Sequence, residues 1–454
     1  MTERSGIKDL SIIYVNVFLY AMCYQFQRPI EPYMVERLKL NGSSISEYAR
    51  LQSFFQVMQT AGSLIFGILI DRFGFKNGFL LSFGASGLSY FLLANATSIS
   101  LLYLSKIPTI FQSGFLCAQV AATHITLDGT QRIQALGRLT TSYTLGVIVG
   151  PAVGGWLGAS GDYYAGAKLA VLGSILSIIL TFFMEDNGHS RPSPTKLVTT
   201  LDKIETSTSA NLNPAFSISH ILNIIYSVKT LLATKLITGF ANSMSSSAFP
   251  IILKDTFKLN EFHSGLCMSI LSFGNAAFNG LMLGPIIQYF QQNSYQIIFI
   301  ALLGMFILYT LQSFSNALIN STFISTVTAS FQSLALPFYP SFSPSLEFFT
   351  FFSACIFQGF CQYLLATTVT SEATSRVADD ERGMLLGLEH SLFAASRVIS
   401  PQSGISLWQY GGIVALTGVC GQVFLFSLFL WMRFGKVDMA EQLAVGKKPE
   451  RKEK

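Results

Sequence analysis

The sequence predicts an all-α membrane protein: twelve transmembrane helices arranged as two pseudo-symmetric six-helix bundles. Three observations predict it. Only 12% of the 454 residues are charged and 50% are hydrophobic, whereas a soluble domain carries about 25% charged residues. Windows of about 20 mostly apolar residues, the length that crosses a hydrocarbon core, recur on both sides of one polar stretch. The two sets of windows also repeat each other's Arg, Gly and Pro positions. Such a composition excludes an ordinary cytosolic enzyme. Phe (40) and Gly (36) are abundant, which suits lipid-facing bulk and close helix contacts.

In order, the first windows fall near Leu10–Pro29, Ala49–Ile70, Phe79–Ala96, Leu101–Ala122, Leu136–Ala159 and Ala165–Met184. Met1–Asp9 is short and mixed in charge, and no small-residue cleavage site follows the first apolar run, so that run is expected to stay as a span. Between the second and third windows the chain reads Gly67-Ile-Leu-Ile-Asp71-Arg72-Phe73-Gly74-Phe75-Lys76-Asn77-Gly78. A carboxylate, two cations and several glycines in one short turn suit a tight connection on the side where Lys and Arg collect. The second windows run near Leu231–Leu253, Gly265–Phe290, Ile297–Phe314, Phe348–Thr370, Leu385–Leu407 and Gly411–Met432. The expected organisation is therefore an N-terminal bundle over 1–184, a cytosolic linker over 185–228, and a C-terminal bundle over 229–433. An insertion near 312–344 belongs to the luminal or extracellular side, and 434–454 is a basic cytosolic tail.

The positive-inside rule puts both termini in the cytosol, with Arg72, Lys76, Arg132, Arg138, Arg191, Lys196, Arg376, Arg382 and the tail cations beside them. Arg37, Lys39, Arg50, Lys168, Lys254 and Lys258 form the minority on the other side. Sequons at Asn41, Asn95 and Asn320 all fall on that side, as glycosylation would require. The net charge of +5 arises from this bias between loops, so no nucleic-acid partner is expected. The basic tail suits anionic lipid headgroups. Cys23, Cys117, Cys267, Cys355, Cys361 and Cys420 lie in or beside apolar runs as small hydrophobes, and neither disulfide, metal nor cofactor is expected.

The internal repeat is specific. Arg132, Leu136-Gly137, Pro151 and Gly154 have counterparts at Arg382, Leu386-Gly387, Pro401 and Gly404, each displaced by 250 residues. Gly67-Ile-Leu-Ile-Asp71-Arg72-Phe73 aligns with Gly284-Pro-Ile-Ile-Gln288-Tyr289-Phe290 at a displacement of 217. The difference of 33 calls for an insertion in the second half, and Gln312–Pro344, rich in Ser and Pro, has the length. Parallel repeats of this kind suit two bundles that rock about a central site.

Gly67-x-x-x-Asp71-Arg72-x-Gly74-x-Lys76 resembles the signature loop between spans 2 and 3 of the major facilitator superfamily. Gly146-Val-Ile-Val-Gly150-Pro151-Ala-Val-Gly154-Gly155 resembles the span 5 signature of that superfamily's proton-coupled antiporters. Ser105-Lys106-Ile-Pro108, Leu136-Gly137-Arg138-Leu139 and Arg397 ahead of Pro401 are similar to the organic cation transporter-like branch of solute carrier family 22 and to the tetracycline/proton antiporters. The chain departs from the pattern at Phe75, at Lys106 and in the uncharged second loop with Gln288. The resemblance implies the major facilitator fold, with a latch formed by Gly67, Asp71, Arg72, Gly74, Lys76, Arg132 and Arg138 that closes in one access state and breaks in the other.

Asp71 sits in the last turn of span 2, where a helix C-terminus disfavours a negative charge, so a cationic partner is expected. Gly146, Gly150 and Gly154, spaced by four, form a stripe for close helix contact, and Pro151 bends that helix. The same residues with Gly155 make up the antiporter signature, so packing and coupling both remain open for them. Ionisable groups within spans cost about 2.5–3.5 kcal/mol on insertion scales and mark function by default. The strongest candidates are Lys106 in span 4 and Arg397 in span 11. Arg28 and Glu31 stand three apart, a spacing that permits a pair. Glu389 and His390 suit proton uptake and release, while Lys235 reads as a cytosolic anchor. Gln25, Gln27, Gln119, Asn242, Asn275, Asn279 and Gln358 are candidate polar cavity groups, and Tyr24, Phe26, Tyr143 and Phe393 are candidate stacking partners for a ligand.

The function expected from the resemblance is secondary transport of a small organic solute, amphipathic or cationic, by alternating access, with protons as the coupling ion. The protein would act as a monomer surrounded by membrane lipid, in the plasma membrane or an organelle membrane. The alternative is a transport-inactive membrane adaptor that keeps the fold and acts through protein or lipid partners. No His-Glu-x-x-His helix, phosphate-binding loop or nucleophile–base set points to an enzyme.

Overall fold

The structure, a computed structural model, describes residues 2–39, 44–126, 129–184, 225–290, 293–319, 346–377 and 382–435. Most of the expected linker, most of the expected insertion, the basic tail after 435, and the sequons at Asn41 and Asn320 lie outside the described residues. All regular structure among the described residues is helical. In the first half the helices are α1 (Thr2–Phe26), α2 (Glu31–Leu38), α3 (Ser44–Ala94), α4 (Ile99–Lys106), α5 (Gly114–Ile125), α6 (Gly129–Ala159) and α7 (Ala165–Phe182). The second half has α8 (Lys229–Ile251), α9 (Glu261–Tyr289), α10 (Ser294–Ile319), α11 (Leu346–Ser375) and α12 (Arg382–Leu430).

Two helices are far longer than a bilayer needs, and each is bent at glycine. In α3 the break is Gly74, with φ 81°, and in α12 it is the pair Gly411-Gly412, with Gly412 at φ 65°. Positive φ is open to glycine without a Cβ penalty, so these residues turn the chain where the sequence places the short connections. Divided there, with 99–125 taken as one interrupted segment, the described helices give six successive long segments in each half. Among the described residues, eight stretches are long and apolar enough to cross a membrane by length and composition.

Segment 99–125 departs from the uniform helix expected over Leu101–Ala122. Pro108 has no N–H to donate, α4 stops at Lys106, and a tight turn over Ile107–Phe111 carries the chain into α5. Helix α6 begins at Gly129, seven residues before the expected Leu136. Gln312, placed at the start of the insertion, is instead buried within α10, where its amide donates to the Phe351 carbonyl at 3.1 Å. Two helices start on side-chain caps: Ser98 accepts from the Leu101 N–H, and Asn260 from the His263 N–H, which satisfies donors that a helix start leaves open.

Helix α1 packs against α5, α6 and α7, and α8 packs against α11 and α12. The halves meet chiefly where α6 lies on α9 and α3 on α12. The repeat is visible in atomic detail. A Cβ at Gly154 would lie 2.2 Å from the Phe26 carbonyl oxygen, and one at Gly404 would lie 2.4 Å from the Met244 carbonyl oxygen. Each glycine thus brings its helix against the backbone of the first helix of its own half. The periphery is apolar, with Leu281 75% and Trp156 65% exposed, as a lipid-facing surface requires.

Candidate functional site

Helix α1 ends at Phe26, the chain turns over 27–30, and α2 starts with Glu31 and Pro32. Proline is tolerated at the first helical turn, and an acidic residue there complements the helix dipole. Lys106, the last residue of α4, occupies the complementary end of its own helix. The two meet: Lys106 Nζ lies 2.5 Å from Glu31 Oε1, while Gln52 Nε2 donates to Glu31 Oε2 at 2.5 Å. Lys106 also stands over the Phe55 ring, 5.4 Å from its centroid. Glu31 is 6% and Lys106 9% exposed, and at such depth an ion pair is tolerated only with this degree of hydrogen bonding.

The pair forms part of the wall of a cavity of about 360 Å³ between the halves. The first half supplies most of the wall, including Tyr24, Gln25, Gln27 and Arg28. The second supplies Ser243, Ser246, Ser247 and Pro250 from α8, and Arg397 and Ser400 from α12. Gln112 donates to the Tyr90 hydroxyl at 2.9 Å, and Tyr20 donates to the Gln112 carbonyl at 3.0 Å, so much of the polar lining is already satisfied. Gln25 Oε1 and both amide atoms of Gln27 are buried without a hydrogen-bond partner.

At the end opposite the described termini the halves are bonded together. The Tyr33 hydroxyl donates to the Leu259 carbonyl at 2.5 Å and lies 3.1 Å from Ser264 Oγ. Lys254 pairs with Glu36 at 2.6 Å, Tyr163 donates to Glu261 at 2.8 Å, and Ser269 accepts from the Ala152 N–H at 2.9 Å. Gly155 makes this approach possible, because a Cβ there would lie 2.5 Å from the Glu261 carbonyl oxygen and 3.0 Å from Gly265 Cα. Burial, and then the bond to Glu261, push the Tyr163 hydroxyl up to about 12, so it remains a donor at neutral pH. On the same side Lys39 donates to Glu47 at 2.6 Å and, with Tyr103 and Arg50, holds that carboxyl below the usual range despite burial.

Several expectations need correction. The spacing of Arg28 and Glu31 permits a pair, but Glu31 turns to Lys106 and Gln52, and Arg28 faces the cavity. Gln119 is exposed on α5 and does not line the cavity. Phe26 is fully buried under Gly154. Lys235 is not a surface anchor: it is ion-paired with buried Glu389 and donates to Thr370 Oγ1 at 2.7 Å. That pair lines a second cavity of about 200 Å³ within the second half, together with Phe393 and Gln362. Lys76 donates to the Met184 carbonyl at 2.7 Å, tying the bend at Gly74 to the end of α7, while Arg72 and Arg138 are exposed. The side chains of Asp71, Arg132 and His390, and the surroundings of Gly67, lie outside the described residues. The glycine stripe meets α1: Cβ atoms at Gly146 and Gly150 would lie 2.6 Å from the Phe18 carbonyl oxygen and the Gln25 Cβ respectively. Among the described residues no group of His, Cys, Asp and Glu is arranged to hold a metal.

Sequence alone does not reveal the seal at Tyr33, Glu36 and Lys254. The signal available for it was three ionisable or hydroxyl groups at the outer ends of spans 1 and 7, residues that look like ordinary interfacial anchors.

An all-helical, apolar-skinned bundle in two repeated halves, with a polar cavity at their seam, defines a secondary transporter embedded in a membrane by many helices. The chain belongs to the Major Facilitator Superfamily, whose sequence pattern matches residues 13–345. It is 26% identical over 415 residues to the mouse (Mus musculus) solute carrier family 22 member 18, covering 90% of this chain and 91% of that protein. It is 24% identical over 277 residues to the class B tetracycline resistance protein of Escherichia coli, covering 61% of this chain and 65% of that protein. Among solved structures, a peptide transporter POT in complex with sulfate superposes with a TM-score of 0.70 at 12% identity, covering 96% of this chain and 98% of that one. The human organic anion transporter MFSD10 (TETRAN) superposes at 0.55 and 14% identity, covering 94% and 99%. These likenesses to solved structures carry the fold alone.

Proposed function

We propose that the protein moves a small organic solute across its membrane by alternating access, the halves 1–184 and 229–433 rocking about the central cavity, with both termini cytosolic. The observation that carries this reading is the cavity itself. Two buried charges, Glu31 and Lys106, and unsatisfied amides at Gln25 and Gln27 are held between the two halves. A packed structural core would have excluded them or satisfied them. Among the described residues, the far end carries the Tyr33–Ser264 and Lys254–Glu36 seal, an arrangement that suits a carrier facing the side of its termini. Exchange for protons is part of the proposal. Protonation of Glu389 would release Lys235, which also donates to Thr370 Oγ1, and these groups lie on α8, α11 and α12, the helices that must move together. The adaptor reading is not favoured, since it gives the open polar cavity no purpose.

Flux in reconstituted vesicles tests both parts. Uptake should rise with an imposed pH gradient in the wild type and lose that dependence in Glu389→Gln. A pH profile unchanged by the substitution removes Glu389 as the proton site, and absence of flux for every solute tested removes transport.

A further inference from the structure

We infer that the solute taken into the central cavity is a compact organic anion, bound between Arg28 of the first half and Arg397 of the second. The inference rests on the transport reading above and deepens it. Of the charges lining the cavity, Lys106 and Glu31 neutralise each other at 2.5 Å, and the free Glu31 oxygen is taken up by Gln52. Glu31 is the one acidic side chain among the described residues of the wall. Arg28 and Arg397 remain, and the guanidinium of neither makes an ion pair or hydrogen bond to a described residue; both residues are exposed and line the cavity. Both line the same cavity, so they act on one volume. Guanidinium stays protonated at any physiological pH. The described residues of the wall thus carry an excess of two positive charges, and a cationic solute would add a third.

A guanidinium presents paired donors that match carboxylate, sulfonate or phosphate oxygens in bidentate fashion. The rest of the wall suits the body of such a solute. Tyr24 and Phe55 stack at 6.0 Å between centroids and present an aromatic face. Gln25 and Gln27, each more than nine-tenths buried, hold amide atoms without partners on the same wall, ready for a neutral donor or acceptor group on the ligand. The two arginines come from opposite halves. Closing the cavity around them while empty brings like charges together in a drying site, whereas an anion between them draws the halves shut. Of the two expectations from the sequence, this inference keeps an amphipathic solute and sets aside a cationic one.

The test uses purified full-length protein and a set of probes of one shape: 4-hydroxybenzoate, 4-hydroxybenzenesulfonate, neutral 4-hydroxybenzamide and cationic 4-hydroxybenzamidine. The anions are expected to raise the unfolding midpoint with half-saturation at least tenfold below that of the amide and the amidine. Arg28→Gln and Arg397→Gln should each weaken anion binding at least tenfold and abolish the preference for charge. If either variant fails to fold, Arg28→Lys and Arg397→Lys keep the charge but lose the fork and should still show severalfold weaker binding. A preference for the amidine, no binding of either anion, or anion binding unchanged in the variants overturns the assignment. Vesicle uptake separates the two levels: carriage of the amidine without the anions leaves transport standing and rejects the anion, and carriage of none of the set, nor of any other solute, rejects both.

Discussion

Lys106 and Glu31 illustrate what single residues decide in this chain. Each sits at the end of its own short helix that favours its charge, and each is buried. Removing one partner from a buried pair leaves the other uncompensated, at a cost of about 3–5 kcal/mol, whereas replacing both is often close to neutral. Lys106→Met and Glu31→Gln should therefore each lower the unfolding midpoint markedly, and the double variant should recover most of the loss. A double variant as unstable as the sum of the singles would show that the two side chains act independently. The sequence marks both residues as candidates, but the only pairing its spacing permits for Glu31 is with Arg28. Spacing along one chain segment suggested that pairing; the true partner comes from a helix about 75 residues further on, brought close by the interruption at Pro108. For the same reason Lys235 was read as an anchor, because nothing local shows that α12 presents Glu389 to it.

At the scale of elements, the glycines were the most legible part of the sequence. The stripe at Gly146, Gly150 and Gly154 announces a close neighbour through its spacing alone, and Gly74 announces a turn, since both are consequences of the missing Cβ. Which neighbour fills the stripe was not legible: α1 lies against it, and Gly155 on another face reaches α9 of the other half. The break at Pro108 was legible in principle but was masked by the continuous apolar run around it. A prediction follows from the packing. Gly154→Ala places a methyl 2.2 Å from a backbone oxygen that has no rotamer to escape into, and overpacking of this kind costs about 1–3 kcal/mol. Gly137→Ala, with nothing within 4 Å of its Cβ, should be neutral or slightly stabilising through helix propensity. Thermal unfolding of the two variants checks this, and equal midpoints would refute the close contact between α1 and α6.

For the whole molecule, the all-helical membrane fold followed from hydropathy, while the contacts between the halves did not, because their residues are far apart in sequence. Gly265 lies at the centre of those contacts, its Cβ position 2.2 Å from the Pro151 carbonyl oxygen and 2.9 Å from Gly155 Cα. Neither neighbour can yield without moving a helix. Gly265→Leu should hold α6 and α9 apart near Tyr33, Glu261 and Ser264, so that the far end no longer closes. If the proposed cycle requires that closure, flux in vesicles is lost although each half keeps its own core. Backbone amides over 152–163 and 259–269 should exchange hydrogen for deuterium faster than in the wild type, whereas those at the buried α8–α12 contact near Gly404 and Met244 should not. Wild-type exchange at the far end together with retained flux would mean that the halves tolerate a side chain at their crossing, and the rocking motion would need a different hinge. Faster exchange throughout the second half would instead indicate unfolding of that bundle and would make the loss of flux uninformative about gating, which is why the α8–α12 amides are measured in the same experiment.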